Sequence, residues 1–253
     1  MLKTLLAMFS TLELGNRLQY DLLVHHILDS RINEAVAWAI FKREITILKV
    51  LVNAMNKGAT THPERKDFNK WLTAAIRTQS VDFVKTVLSV NINSRAKVSQ
   101  GMFVTACNQG VPEIITALFG KNQIDPNKKF LECTPLILAT RTGNLDVMKA
   151  VLDAGADING SISEWPCNAL EQAVHIRKAP SMEKREAAAK LLLSRGADVS
   201  ATRSWPATKG LFNIFREAHL SRGAENVPTF EDYRSMEKAR MMSFGEVIAR
   251  LIL

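Results

Sequence analysis

Residues 133–159 read CTPLILATRTGNLDVMKAVLDAGADIN, and their apolar pattern is helix, break, helix. Thr134 can cap a first helix with its hydroxyl, and Pro135 suits the first helical position, where no backbone donor is lost. Leu136 and Ala139 share a face at i and i+3, and Gly143 ends the helix after about two turns, since it tolerates positive φ. Leu145, Met148, Val151 and Leu152 then line one side of a second amphipathic helix that stops at Gly155.

The same template fits elsewhere in register. Upstream, Ala106, Gly110, Glu113, Ile114, Leu118, Asp125 and Asn127 stand where Ala139, Gly143, Asp146, Val147, Val151, Asp157 and Asn159 stand, 33 positions earlier and drifting to 32. One copy earlier, Leu72, Ala75, Asp82, Phe83, Val87 and Leu88 fit, with Gln79 in the place of the glycine. Downstream, Asn168, Leu170 and Ala173 replace Thr134, Leu136 and Ala139, while Leu191 to Leu193 and Gly196-Ala197-Asp198 repeat the second helix and its turn. There the offset grows from 34 to 41, so seven extra residues are expected between the two helices, around Arg177 to Arg185. A weaker copy holds Val36, Ala39, Ile47, Leu51 and Val52. A last one starts at Trp205-Pro206, runs through Leu211, Phe212 and Phe215, and finds its second helix at residues 245–253 beyond an insertion from Glu217 to Phe244. Ser221-Arg222-Gly223-Ala224-Glu225 competes with that register, because it resembles the turn Ser194-Arg195-Gly196-Ala197-Asp198.

A period of about 33 residues with Thr-Pro-Leu, a central glycine and Gly-Ala-Asp-x-Asn resembles the ankyrin repeat. The departure is Ile137, where that family usually has a histidine. The resemblance implies an all-α solenoid of stacked helix-turn-helix pairs joined by short hairpin-like turns. It divides the chain into an amino-terminal cap (1–33), repeats (34–201) and a divergent carboxy-terminal repeat with a long insertion (202–253). Each pair has an apolar face that only a neighbouring pair can bury, so the ends must be atypical. Leu251-Ile252-Leu253 break off on an apolar face, which is expected either to be covered by the insertion or to continue into a longer protein.

The chain has 253 residues, 47% hydrophobic and 23% charged, which excludes a disordered chain. No stretch approaches the ~20 apolar residues of a membrane span. The apolar start, Met1 to Phe9, is broken by Ser10, Thr11 and Glu13 with no small-residue cleavage site, and the expected location is cytoplasmic or nuclear. Cys107, Cys133 and Cys167 cannot all pair, and none sits in a metal-ligand spacing. Cys133 and Cys167 fall at equivalent repeat positions, on layers ~10 Å apart, too far for a disulfide.

Chemistry is absent from the motifs. There is no GxGxxG or Walker sequence. His25-His26 are adjacent rather than at i and i+4, and the carboxylates at Asp21, Asp29, Glu231 and Asp232 have no basic or nucleophilic partner in sequence. Neither catalysis, cofactor nor metal is expected. A formal net charge of +8 suits an acidic protein, a nucleic acid or an anionic membrane, although a lysine-rich solvated surface would carry the same charge.

In the family that the chain resembles, partners touch the turn before the first helix and the end of that helix. Carried over position by position, the resemblance places the contact residues at Lys66, Arg77, Lys97, Asn108, Phe130, Leu131, Arg141, Trp165, His175, Trp205 and Arg216. Aromatic residues and arginine are what interface cores favour. Trp165 and Trp205 can equally pack as anchors beside Pro166 and Pro206. The expected function is therefore a monomeric, non-catalytic protein-interaction module that holds an acidic partner on its concave face. Its alternatives are the substrate-recruiting repeats of a larger enzyme or ubiquitin-ligase assembly and, more weakly, nucleic-acid binding.

Overall fold

The computed structural model describes residues 32–57, 65–90, 98–120, 124–130, 133–161, 168–175, 181–202 and 205–240. Its helices are α1 (Ile32–Lys42), α2 (Ile45–Asn56), α3 (Arg65–Arg77), α4 (Val81–Leu88), α5 (Gln100–Gln109), α6 (Pro112–Phe119), α7 (Pro135–Thr142), α8 (Leu145–Asp153), α9 (Ala169–His175), α10 (Met182–Ser194) and α11 (Lys209–Ser221). A further helical run occupies residues 230–240, and no strand occurs among the described residues.

Local chemistry sets the helix ends. Thr134 Oγ1 accepts from Ile137 N at 3.4 Å, and Asn144 Oδ1 accepts from Asp146 N and Val147 N at 3.0 and 3.2 Å. Such caps each contribute about 1 kcal/mol. Four residues after a buried alanine, every well-defined first helix closes in the left-handed region: Arg43 (φ 60), Gln79 (φ 60), Gly110 (φ 74) and Gly143 (φ 64). Gly110 is needed for space as well, because a Cβ there would lie 2.8 Å from Asn144 Nδ2.

First helices stack on first helices (α1, α3, α5, α7, α9) and second helices on second helices (α2, α4, α6, α8, α10). One continuous apolar core runs between the columns, from Leu48, Leu72 and Phe103 to Ile114, Leu136, Val147 and Leu192. Burying a side chain of this size stabilises the fold by about 1.5–3 kcal/mol each. The asparagine of Gly-Ala-Asp-x-Asn ties one layer to the next. Asn127 Oδ1 accepts from Asp157 N at 2.6 Å, and Asn159 Oδ1 accepts from Asp198 N at 2.8 Å. After Asp198 the series has Ser200 instead, and Arg222 Nη2 makes the next tie by donating to Ala197 O at 2.6 Å.

The extra residues of the fourth full repeat are not all in a loop: α10 has 13 residues against 9 in α8, and residues 176–180 lie outside the described residues. Arg185, expected in the loop, lies inside α10, where its Nε donates to Ala173 O at 3.0 Å.

The carboxy-terminal register is also corrected. Glu217 lies within α11, so no insertion begins there. α11 packs on α10 and so extends the second-helix column. It ends in the turn of second helices: Ala224 N donates to His219 O at 3.1 Å, as Ala197 N does to Leu192 O at 3.0 Å, with Gly223 and Gly196 at φ 81 and 95. The expected closing helix at 245–253, the amino-terminal cap before residue 32, and Cys167 lie outside the described residues.

Candidate binding face

Two residues past each buried alanine of the first-helix column stand Phe41, Arg77, Asn108, Arg141 and His175. Because each first helix hides its alanine against the next layer, this position turns away from the core. Phe41, Arg77, Asn108 and Arg141 are exposed. His175 closes α9, and its side chain lies outside the described part.

Hydrogen bonds run along this row between layers. Arg141 Nε donates to Gln172 Oε1 at 3.0 Å, which holds the guanidinium across α9 and leaves its other N–H groups for a ligand. Gln79 Nε2 donates to Gln109 Oε1 at 2.8 Å, and Asn33 Nδ2 donates to Asp67 Oδ2 at 3.1 Å. The face is electrostatically one-sided. Among the described residues of the first helices, the exposed charges are Lys42, Lys66, Lys70, Arg77 and Arg141 against Glu34 alone. Among the described residues, α2, α4, α6, α8 and α10 mix signs, with Asp82, Glu113, Asp146, Asp153 and Glu183 exposed beside Lys49, Lys85, Lys149, Lys184 and Lys190.

Not every expected contact residue is on this face. Phe130 is buried at 8% exposure, its ring 6.0 Å from that of Phe103, with Lys128 Nζ 5.1 Å above it. The turn bond from Phe130 N to Cys133 O, 3.0 Å, directs the ring into the stack. Trp205 is half-buried between Phe212 (4.7 Å) and His219 (5.0 Å), the anchoring alternative. Arg216 is half-buried with Nε unpartnered among the described residues, and its charge acts on Asp232. Hydrogen bonds from Thr229 are the main cause holding that carboxyl below the usual range. Both misplacements follow from α11 occupying the second-helix column. Lys97, Leu131 and Trp165 lie outside the described residues.

Phe41, Lys70 and Arg43 were missed by the sequence reading. The signal was available: Phe41 and Arg43 stand two and four residues after Ala39, as Arg141 and Gly143 do after Ala139.

No group of three His, Cys, Asp or Glu side chains converges among the described residues. Burial pushes the Cys107 thiol up to about 12. Since thiolate is the reactive form, Cys107 is expected to resist alkylation near pH 8 in the folded chain and to react fully once denatured. Peptide mass mapping checks this, and equal labelling in both states would refute it. Among the described residues, no helix is long and apolar enough to cross a membrane.

The family model described as ankyrin repeats (3 copies) matches residues 72–162 and 102–203, more than half of the chain. The crystal structure of the ankyrin repeat domain of Bcl-3, a unique member of the IkappaB protein family, is similar in fold. Its TM-score is 0.58 at 20% identity, over 78% of this chain and 90% of that one. EF0377, an ankyrin repeat protein, gives a TM-score of 0.51 at 21% identity, over 66% of this chain and 83% of that one. No curated protein matches the chain in sequence.

Proposed function

The chain belongs to the ankyrin-repeat family, whose repeats generally serve protein–protein interaction, and on that premise we propose that it is a non-catalytic module binding an acidic protein segment on its concave face. The observation that carries this reading is the charge asymmetry between the two helix columns. Among the described residues, five exposed cations against one exposed acid on the first helices make a field that attracts carboxylates, whereas the second helices carry both signs in near balance. Arginine adds direction, because its planar fork can pair both oxygens of a carboxylate. The repeats taken to span 34–201 are the binding unit in this reading.

The test is capture from the source cell with wild type and an Arg77→Glu, Arg141→Glu double variant. Both sites are exposed, so stability should change by less than about 0.5 kcal/mol. Acidic partners are expected to be lost at least tenfold, and wild-type capture should weaken as salt rises. Undiminished capture by the folded double variant would remove the acidic-partner reading.

A further inference from the structure

Phe41 is 80% exposed, more than any other large hydrophobic side chain among the described residues. It forms the lip of a groove of about 880 Å³ between α1 and α3, lined also by Ile40, Arg43, Lys70, Thr73 and Arg77. That volume is in the range of pre-formed ligand sites, ~300–1,000 Å³. An isolated exposed phenylalanine means little, but an aromatic ring beside an apolar floor and ringed by cations is how an interface centre is composed. Three of the lining residues are cationic, and no acidic residue lines the groove.

Arg43 supplies an independent observation. It holds φ 60, in the left-handed region where Gly110 and Gly143 close later first helices. A side chain there is sterically disfavoured, and glycine would relieve the strain. Gln79, the other non-glycine in this row, has a use within the stack, its bond to Gln109. Arg43 has no hydrogen bond or ion pair of its side chain among the described residues, and it lines the groove. Strained backbone kept without a structural return is a mark of a functional position.

We infer that this groove is the docking site for a short acidic peptide segment carrying one large apolar side chain, which packs on Phe41, Ala37 and Ala74 while its flanking carboxylates pair with Arg43, Lys70 and Arg77. The inference deepens the concave-face reading and rests on it, and it assigns that face a centre at the amino-terminal end. Arg141 on α7 lies three helix-packing steps from Phe41 on α1 and two from Arg77 on α3, each ~8–10 Å, and so about two to four Debye lengths of ~8 Å at physiological salt. The groove and the rest of the face can therefore be tested separately.

The full-length protein is used to select from a displayed random-peptide library, and the selected peptides are synthesised for affinity measurement. Acidic sequences with one conserved aromatic or aliphatic residue are expected. Phe41→Ala should weaken them at least tenfold. Arg43→Gly should also weaken them at least tenfold while the melting temperature is unchanged or raised, so that lost binding is separated from lost folding. Gln79→Gly, which gives the same backbone relief one repeat along, should leave affinity within twofold, as should Lys149→Glu on the exposed second-helix side.

Acidic binders that depend on Arg141 but not on Phe41 or Arg43 overturn the groove and leave the concave-face reading standing. Selected peptides without acidic character, or no binders, overturn both. A dimer of the chain that dissociates on Phe41→Ala gives the groove to a second copy instead. Peptide binding that appears only after removal of residues 1–31 gives it to the chain's own amino-terminal segment. Either result overturns the assignment to a partner peptide.

Discussion

Phe103→Ala is expected to lower the unfolding free energy by about 3–5 kcal/mol, the cost of truncating a buried aromatic side chain that leaves a cavity. Phe103 is 0% exposed. Its ring lies 5.6 Å from Phe119 of the same repeat and 6.0 Å from Phe130 in the turn that leads to the next. One side chain thus joins a first helix, a second helix and the following turn. The array is quasi-one-dimensional, so each layer is stabilised by two interfaces, and a weak central layer affects both. Against a total of roughly 5–15 kcal/mol, this loss removes a large share. Urea unfolding followed by circular dichroism checks it. A change below about 1 kcal/mol would show that the three rings do not hold the layers together.

Phe212→Ala is expected to cost a similar amount, about 3–5 kcal/mol, but locally. Phe212 is 0% exposed among Trp205 at 4.7 Å, Phe230 at 5.3 Å and Tyr233 at 5.3 Å. These rings fasten α11 to the run at 230–240, at one end of the described stack. An end layer has one interface, so its loss opens that layer while the centre persists. Amides between 205 and 240 should exchange roughly 100-fold faster or more, at about 1.4 kcal/mol per tenfold, with α5 to α8 unaffected. Uniform acceleration across all helices would refute a local cap.

Acid should act on the same cap. Burial, then the charge of Arg222, holds His219 below its ordinary 6.5 against the opposing pull of Asp198. The folded state therefore favours neutral imidazole. This contribution is present above the unfolded pKa and is lost as pH falls through the lower folded value. The expected sign is a lower protection factor at 205–240 on acidification, with each exchange rate taken relative to the intrinsic rate at that pH.

The repeat, its helix boundaries and its cap residues were legible in the sequence because they are local. Thr134, Pro135 and Gly143 act within a few residues of themselves, and α7 and α8 begin and end where those residues place them. The left-handed stop at Gln79 was readable for the same reason, as the counterpart of a glycine. Arg77, Asn108 and Arg141 share one exposed row because one position in a periodic template always faces the same way.

The tertiary structure decided what depends on partners distant in sequence. Phe130 occupies a surface position in the template, yet Phe103 lies close enough to receive its ring. Trp205-Pro206 echoes Trp165-Pro166, yet α11 joins the second-helix column because its apolar face meets α10, and Trp205 and Arg216 go with it. Phe41 was hidden by the weakness of the first copy. Its significance appears only where α3 brings Lys70 and Arg77 alongside it. Periodicity specifies which way a residue points along one helix pair. What it then meets is set by the packing of one layer on the next, a relation between residues some thirty positions apart that no local pattern encodes.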